Sequence, residues 1–188
     1  MRLTSRRELA DCLKEDAESF KSQNCSWMKR FKYNLFSTPI SEQKHIWAYI
    51  KHMSYVEYYG TLKKKSTIYL LPYLYHLSRL RKESHITGFQ IPPGTCGKGL
   101  TVYHRGTIII NPKTVIGDFC TLNAGVLIRH KEEGLQAPRI GENVFIGSGA
   151  NIIGDIRIGD NVVIAPNSVV TKDISDGVII GGINKILK

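Results

Sequence analysis

A chain of 188 residues with a net charge of +10 is long enough to bury a sizeable core, as one large domain or one domain with an extension. The charge sits in the first half, where residues 1–87 hold 16 basic and 8 acidic side chains against 10 and 8 in residues 88–188; with Lys63-Lys64-Lys65 as the one dense run, it reads as a solvated helical surface and not as a nucleic-acid interface. Ile68 to Leu77 is the most apolar stretch, but it contains Pro72 and His76 and falls short of the ~20 residues of a membrane span.

The N-terminal run Met1-Arg-Leu-Thr-Ser-Arg-Arg-Glu lacks the apolar stretch of a signal peptide, so a cytoplasmic location is expected. Residues 1–87 read as an α-helical domain. Leu9, Cys12, Leu13, Ala17 and Phe20 recur at helical spacing, and Thr38-Pro39 breaks the pattern. Ser41-Glu-Gln-Lys then looks like a helix start leading through Trp47 and Ile50, and Gly60-Thr61 predicts a second interruption. Ser66-Thr67 precedes an aromatic-rich helix through Tyr69, Tyr73, Leu77 and Leu80. Cys12, Cys25, Cys96 and Cys120 have no CxxC spacing and are expected to be free, mostly buried thiols.

From Gly88 the texture changes. Between Ile140 and Ile174 every sixth residue is Ile or Val in the series Ile140, Ile146, Ile152, Ile158, Ile164, Val170, and the fifth place after each (Val144, Ala150, Ile156, Val162, Ser168, Ile174) is small or β-branched. Helices repeat apolar residues at three and four, strands at two; a period of six fits a hexapeptide β-helix whose aliphatic side chains stack from coil to coil. The register extends back through Ile128, Leu122, Ile116 and Ile110, with Val126, Cys120 and Thr114 as fifth-place partners. Earlier it is looser, through Ile109, Tyr103, Gly97 and Ile91, and a one-residue shift joins the two stretches. Residues 131–138 leave the period and predict a loop thrown from a coil corner. At about eighteen residues per coil, residues 88–180 make roughly five coils. The helices would cap the first, and Gly181 to Lys188 the last.

Three segments of this half resemble serine acetyltransferases: Gly88-Phe-Gln-Ile-Pro-Pro-Gly, then Leu100-Thr-Val-Tyr-His104-Arg-Gly, then Val115-Ile-Gly-Asp118. The C-terminal runs Val169-Val-Thr-Lys-Asp-Ile and Ile180-Gly-Gly-Ile-Asn-Lys185-Ile are similar to the ends of that family too. The resemblance implies a left-handed parallel β-helix of hexapeptide repeats, spanning residues 88–188, behind the α-helical domain. It also implies an acetyl-CoA-dependent O-acetyltransferase with His104 as the base. Coenzyme A would lie against Gly147, Ser148, Gly149, Ala165 and Pro166, with Lys172 and Lys185 near its phosphates. The assembly implied is a homotrimer, with the helical domains able to pair two trimers.

Departures from the family shape the expected acceptor. Gln90 and Tyr103 stand where it carries acids, and its second histidine, in the loop, is absent near Ala137-Pro138. Leu127-Ile-Arg-His130-Lys131 and Gln136-Ala-Pro-Arg-Ile-Gly resemble instead the related enzymes that O-acetylate capsular and other surface polysaccharides. The expectation is therefore a sugar hydroxyl, with Tyr103, Arg105, Asn123, Arg129 and His130 as acceptor contacts. Serine acetylation and a non-catalytic scaffold are the alternatives. A gamma-type carbonic anhydrase needs three histidine ligands, and residues 88–188 hold His104 and His130 alone, so no metal site is expected.

Overall fold

The computed structural model describes residues 3–30, 39–132 and 136–187, with the side chains of residues 21–30 and 39–41 left aside. The described part of the chain opens with three α-helices, α1 (Arg6–Arg30), α2 (Pro39–Leu62) and α3 (Leu70–Thr87), the last entered through a 3₁₀ turn at Thr67–Tyr69. The expected interruption at Gly60-Thr61 falls just beyond that pair, where α2 ends at Leu62. Gly60 lies in the last turn of α2, where the Tyr73 ring of α3 packs at ordinary contact distance, 3.5 Å from where a Cβ would stand. Gly88, at φ 82°, ends α3 in the left-handed cap that glycine favours. Thr38, half of the first predicted break, lies outside the described residues, as do residues 133–135 of the predicted loop and the side chain of Cys25. Cys12, Cys96 and Cys120 are free and buried.

Beyond Gly88 the chain winds into a left-handed β-helix with three parallel sheets. Sheet A holds β1 (Phe89–Gln90), β3 (Ile108–Ile110), β6 (Leu127–Arg129), β9 (Asn151–Ile153) and β12 (Val169–Val170). Sheet B holds β4 (Val115–Ile116), β7 (Arg139–Ile140) and β10 (Arg157–Ile158). Sheet C holds β2 (Thr101–Val102), β5 (Thr121–Leu122), β8 (Phe145–Ile146), β11 (Val163–Ile164) and β13 (Ile179–Gly181), and β14 (Lys185–Ile186) folds back antiparallel on β13. The sixfold aliphatic residues point inward: Leu122, Ile128, Ile146, Ile152, Ile164 and Val170 have no exposed surface. Fifth-place residues are buried with them, Thr114, Cys120, Val126, Val144, Ala150, Val162 and Ser168 among them.

Close approach explains the Ile-Gly-Asp triplets at one corner. Asp118 Oδ1 accepts the Lys98 N–H at 3.0 Å, Asp160 Oδ1 that of Glu142 at 2.7 Å and Asp176 Oδ1 that of Asp160 at 2.9 Å. A Cβ on Gly97, Gly141 or Gly159 would strike the same carboxylate oxygens. The glycine of one coil therefore makes room for the aspartate of the next.

The loose early register is where the sequence reading fails. Tyr103 and Ile109 face outward, 39% and 36% exposed, while Val102, Ile108 and Ile110 fill the core. Val102 pairs with Leu122 and Ile109 with Leu127, so seven residues on the first coil span what five span on the next. The turn between sheets C and A thus carries two extra residues there, in place of the one-residue shift.

The helices and coils share one core, running from Ile46, Tyr49, Ile50 and Met53 down to Ile180. Tyr49 Oη donates to the Ile91 carbonyl and accepts the Ile91 N–H, both at 3.0 Å. From α1, the buried Asp16 accepts the N–H groups of Gly99 and Leu100 at 2.7 and 3.2 Å. Burial outweighs these hydrogen bonds and pushes the Asp16 carboxyl up to about 6. The native state then holds the proton more tightly than the unfolded chain, so this group's contribution to stability is greatest at low pH. As pH rises from about 4 through 6 the contribution is lost, by roughly 3 kcal/mol in all. Asp16→Asn, which keeps an acceptor oxygen for both N–H groups, should flatten that slope in thermal melts taken from pH 4.5 to 7.5. Equal slopes in the two proteins would show that Asp16 is not the group responsible.

Candidate active site

His104 lies on the enlarged turn. Val102 is the last inward residue before it, and Gly106 (φ 146°) the residue that lets the chain bend back towards β3. A side chain at Gly106 would stand 2.8 Å from Ala124 Cβ on the coil beneath. The turn is tied to the end of α3 by the Gly106 N–H, which donates to the Thr87 carbonyl at 2.9 Å, and to the next coil by Gly125 N–H to the Thr107 carbonyl at 2.7 Å. Its imidazole stands free of the coils, 75% exposed.

The corner continues downward as a column of small residues. Gly149 N–H donates to the Ala124 carbonyl, Gly147 N–H to that of Ile164, Asn167 N–H to that of Ser148 and Ala165 N–H to that of Ile180. Asn123, Gly147, Ser148, Gly149, Ala165 and Pro166 therefore stack beneath His104 on one edge, spaced by the ~4.8 Å of paired strands. A Cβ on Gly147 would meet Pro166 N at 2.6 Å, so this glycine is demanded by the coil itself. Asn123 Nδ2 donates to the Ile146 carbonyl at 2.8 Å, a bond within the wall. Lys185, paired with Gly181, sits at the foot of the column.

Arg129, His130 and Lys172 are not brought there. They occupy the turn between sheets A and B, at the far edge of sheet A. Asn111 Oδ1 accepts the Lys113 N–H at 2.9 Å, which turns its Nδ2 towards His130 Nδ1, 2.6 Å away. His130 Nδ1 therefore accepts, and Nε2 carries the proton. Beside this pair a groove of about 600 Å³ runs over sheet A, with Arg81 and Ser84 of α3 on one wall and Gln90, Asn111 and Arg129 on the other. One subunit thus holds two separate clusters.

Sequence reasoning assigned His104 no acidic partner, and the structure supplies one. Glu42, in the first turn of α2, places Oε1 3.9 Å from His104 Nδ1. The same oxygen accepts the Arg105 N–H, while Gln43 Nε2 donates to the Tyr103 carbonyl at 3.2 Å. The helix end grips the turn on both sides of His104. A helix start was legible at Ser41-Glu-Gln-Lys, but nothing in the local pattern links it to a turn some sixty residues away. Among the described residues no three His, Cys, Asp or Glu side chains cluster closely enough to hold a metal ion, and no helix is long and apolar enough to cross a membrane.

Comparison with known proteins narrows the chemistry. Residues 137–172 match the bacterial transferase hexapeptide family, six repeats. A serine acetyltransferase of Synechococcus elongatus is 38% identical over 112 residues, which are 57% of this chain and 44% of that protein. The chain spans about half the length of the curated relatives it matches. Among solved structures, the Neisseria gonorrhoeae serine acetyltransferase in complex with serine superposes with a TM-score of 0.65 at 25% identity, covering 98% of this chain and 71% of that one. A serine acetyltransferase in complex with CoA has a TM-score of 0.68 at 21% identity, with 97% and 71% covered. The expected sugar acceptor is overturned by these relatives, which at 38–41% identity are serine acetyltransferases. Its premise was the lack of acids at residues 90 and 103, and Glu42 brings a carboxylate near His104 from another element. Residues 137–172 thus match the bacterial transferase hexapeptide family, and the described chain has the fold of the serine acetyltransferases.

Proposed function

We propose that this chain transfers the acetyl group of acetyl-CoA to the hydroxyl of L-serine. One observation carries the reading: His104 stands at the head of a straight edge of small residues, with backbone close to the surface at Gly147, Ser148 and Ala165. An extended thioester arm laid along that edge would present its carbonyl to a hydroxyl held beside the imidazole. His104 Nε2 takes the hydroxyl proton as the serine oxygen attacks the thioester carbon. The imidazolium then returns that proton to the departing sulfur as the C–S bond breaks, leaving O-acetylserine and free coenzyme A. Lys185 at the foot of the edge offers a point charge to the phosphates of the donor.

Similarity to serine acetyltransferases over 112 residues supports the acceptor. The corner is open in a single subunit, and a homotrimer acting in the cytoplasm would wall it with a neighbour's surface. The test is thiol release from acetyl-CoA by purified protein with and without L-serine, with mass spectrometry of the product. Saturable, serine-dependent release with a product of O-acetylserine mass is expected. No release above background at millimolar serine would reject the acceptor.

A further inference from the structure

Resting on the acyl-transfer reading above, we propose that Glu42 is the positioning residue of His104, a carboxylate delivered by the helical domain to a base carried on the coils. The base needs Nε2 bare and Nδ1 protonated, and an anionic oxygen facing Nδ1 selects that tautomer and stabilises the imidazolium formed during attack. The two coil positions where serine acetyltransferases carry acids cannot do this, since Gln90 and Tyr103 have no carboxylate. Among the described residues Glu42 is the acid within ion-pair reach of the ring.

Its setting suits the task. Glu42 is 24% exposed and fastened to the turn through the Arg105 N–H, whereas the imidazole is 75% exposed and able to rotate. The separation of 3.9 Å is too long for a hydrogen bond. A small rotation of the exposed ring closes it. Gln43, donating to the Tyr103 carbonyl, holds the helix end against the same turn, so the carboxylate stays beside the backbone that carries the ring.

The test compares Glu42→Gln, Glu42→Ala and Glu42→Asp with wild type. Glu42→Gln keeps an oxygen for the Arg105 N–H and loses only the charge. Both Glu42→Gln and Glu42→Ala should lower kcat for L-serine roughly 10²-fold while KM for acetyl-CoA stays within about twofold, and Glu42→Asp should recover part of the rate. Wild-type kcat in Glu42→Gln, with loss in Glu42→Ala alone, would make the contact structural and overturn the proposal. A second readout needs no acceptor. The ¹⁵N shifts of the His104 ring should show a protonated Nδ1 and bare Nε2 in wild type and a tautomer mixture in Glu42→Gln. Ring shifts unchanged by Glu42→Gln would equally overturn it. Changed shifts in a protein inert towards serine would uphold Glu42 and fault the acceptor instead.

Discussion

Purified His104→Ala protein should release thiol from acetyl-CoA in the presence of L-serine about 10²- to 10⁴-fold more slowly than wild type. The effect should fall on kcat. The edge below the turn, from Gly147 to Pro166, is built by backbone pairing between coils and does not touch the imidazole, so KM for acetyl-CoA should change little. The exposed ring makes no packing contribution that its removal would cost, and the variant should melt with wild type. A variant that keeps more than about a tenth of the rate would move the base elsewhere, with His130 the first candidate. That residue lies on the opposite edge of sheet A with Nδ1 already engaged by Asn111, so His130→Ala provides the matched comparison.

The largest stability loss should come from the middle of the stack. Ile152 has no exposed surface and sits in register between Ile128 and Val170. Ile152→Ala removes buried methyl groups and leaves a cavity that two flanking coils cannot close, costing about 2–5 kcal/mol. For a chain of this size that lowers the thermal midpoint by several degrees, on the order of 5–15 °C. Val115, on sheet B and 45% exposed, points the other way, and Val115→Ala should stay within about 1 kcal/mol of wild type. Equal losses at the two sites would mean that the inward register is wrong.

What could be read from the residues was the part governed by local repetition. From Ile110 to Ile128 and again from Ile140 to Ile174 each sixth residue and its fifth-place partner enter the core, because stacking identical coils forces identical packing on each. Tyr103 and Ile109 were assigned inward because a fixed period cannot register two extra residues in one turn. Gly60 was read as a break on propensity, and α2 does end there, two residues later at Leu62. Glu42 was invisible for a different reason. Its meeting with His104 is made by docking a helix onto the coils, and no pattern within either segment encodes it. The same blindness produced the wrong acceptor: acids counted only along the coils were missing, while the fold supplied one from outside them. Lys172 lies just after β12, at the edge of sheet A away from the His104 of the same subunit.

The two-residue enlargement of the turn has an evolutionary consequence. Strand pairing resumes undisturbed at Ile109 with Leu127, so the ladder is indifferent to what the turn contains. Apart from Gly106, where the positive φ and the closeness of Ala124 exclude a side chain, residues 103–107 can therefore be exchanged or lengthened at small cost to folding, since loop length weighs only weakly on stability. Mutations that retune this corner for a different nucleophile would escape the purifying pressure that holds Ile146 or Ile152 fixed. The helix end that grips the turn sets the limit on that freedom, because a new turn must still present backbone to Glu42 and Gln43.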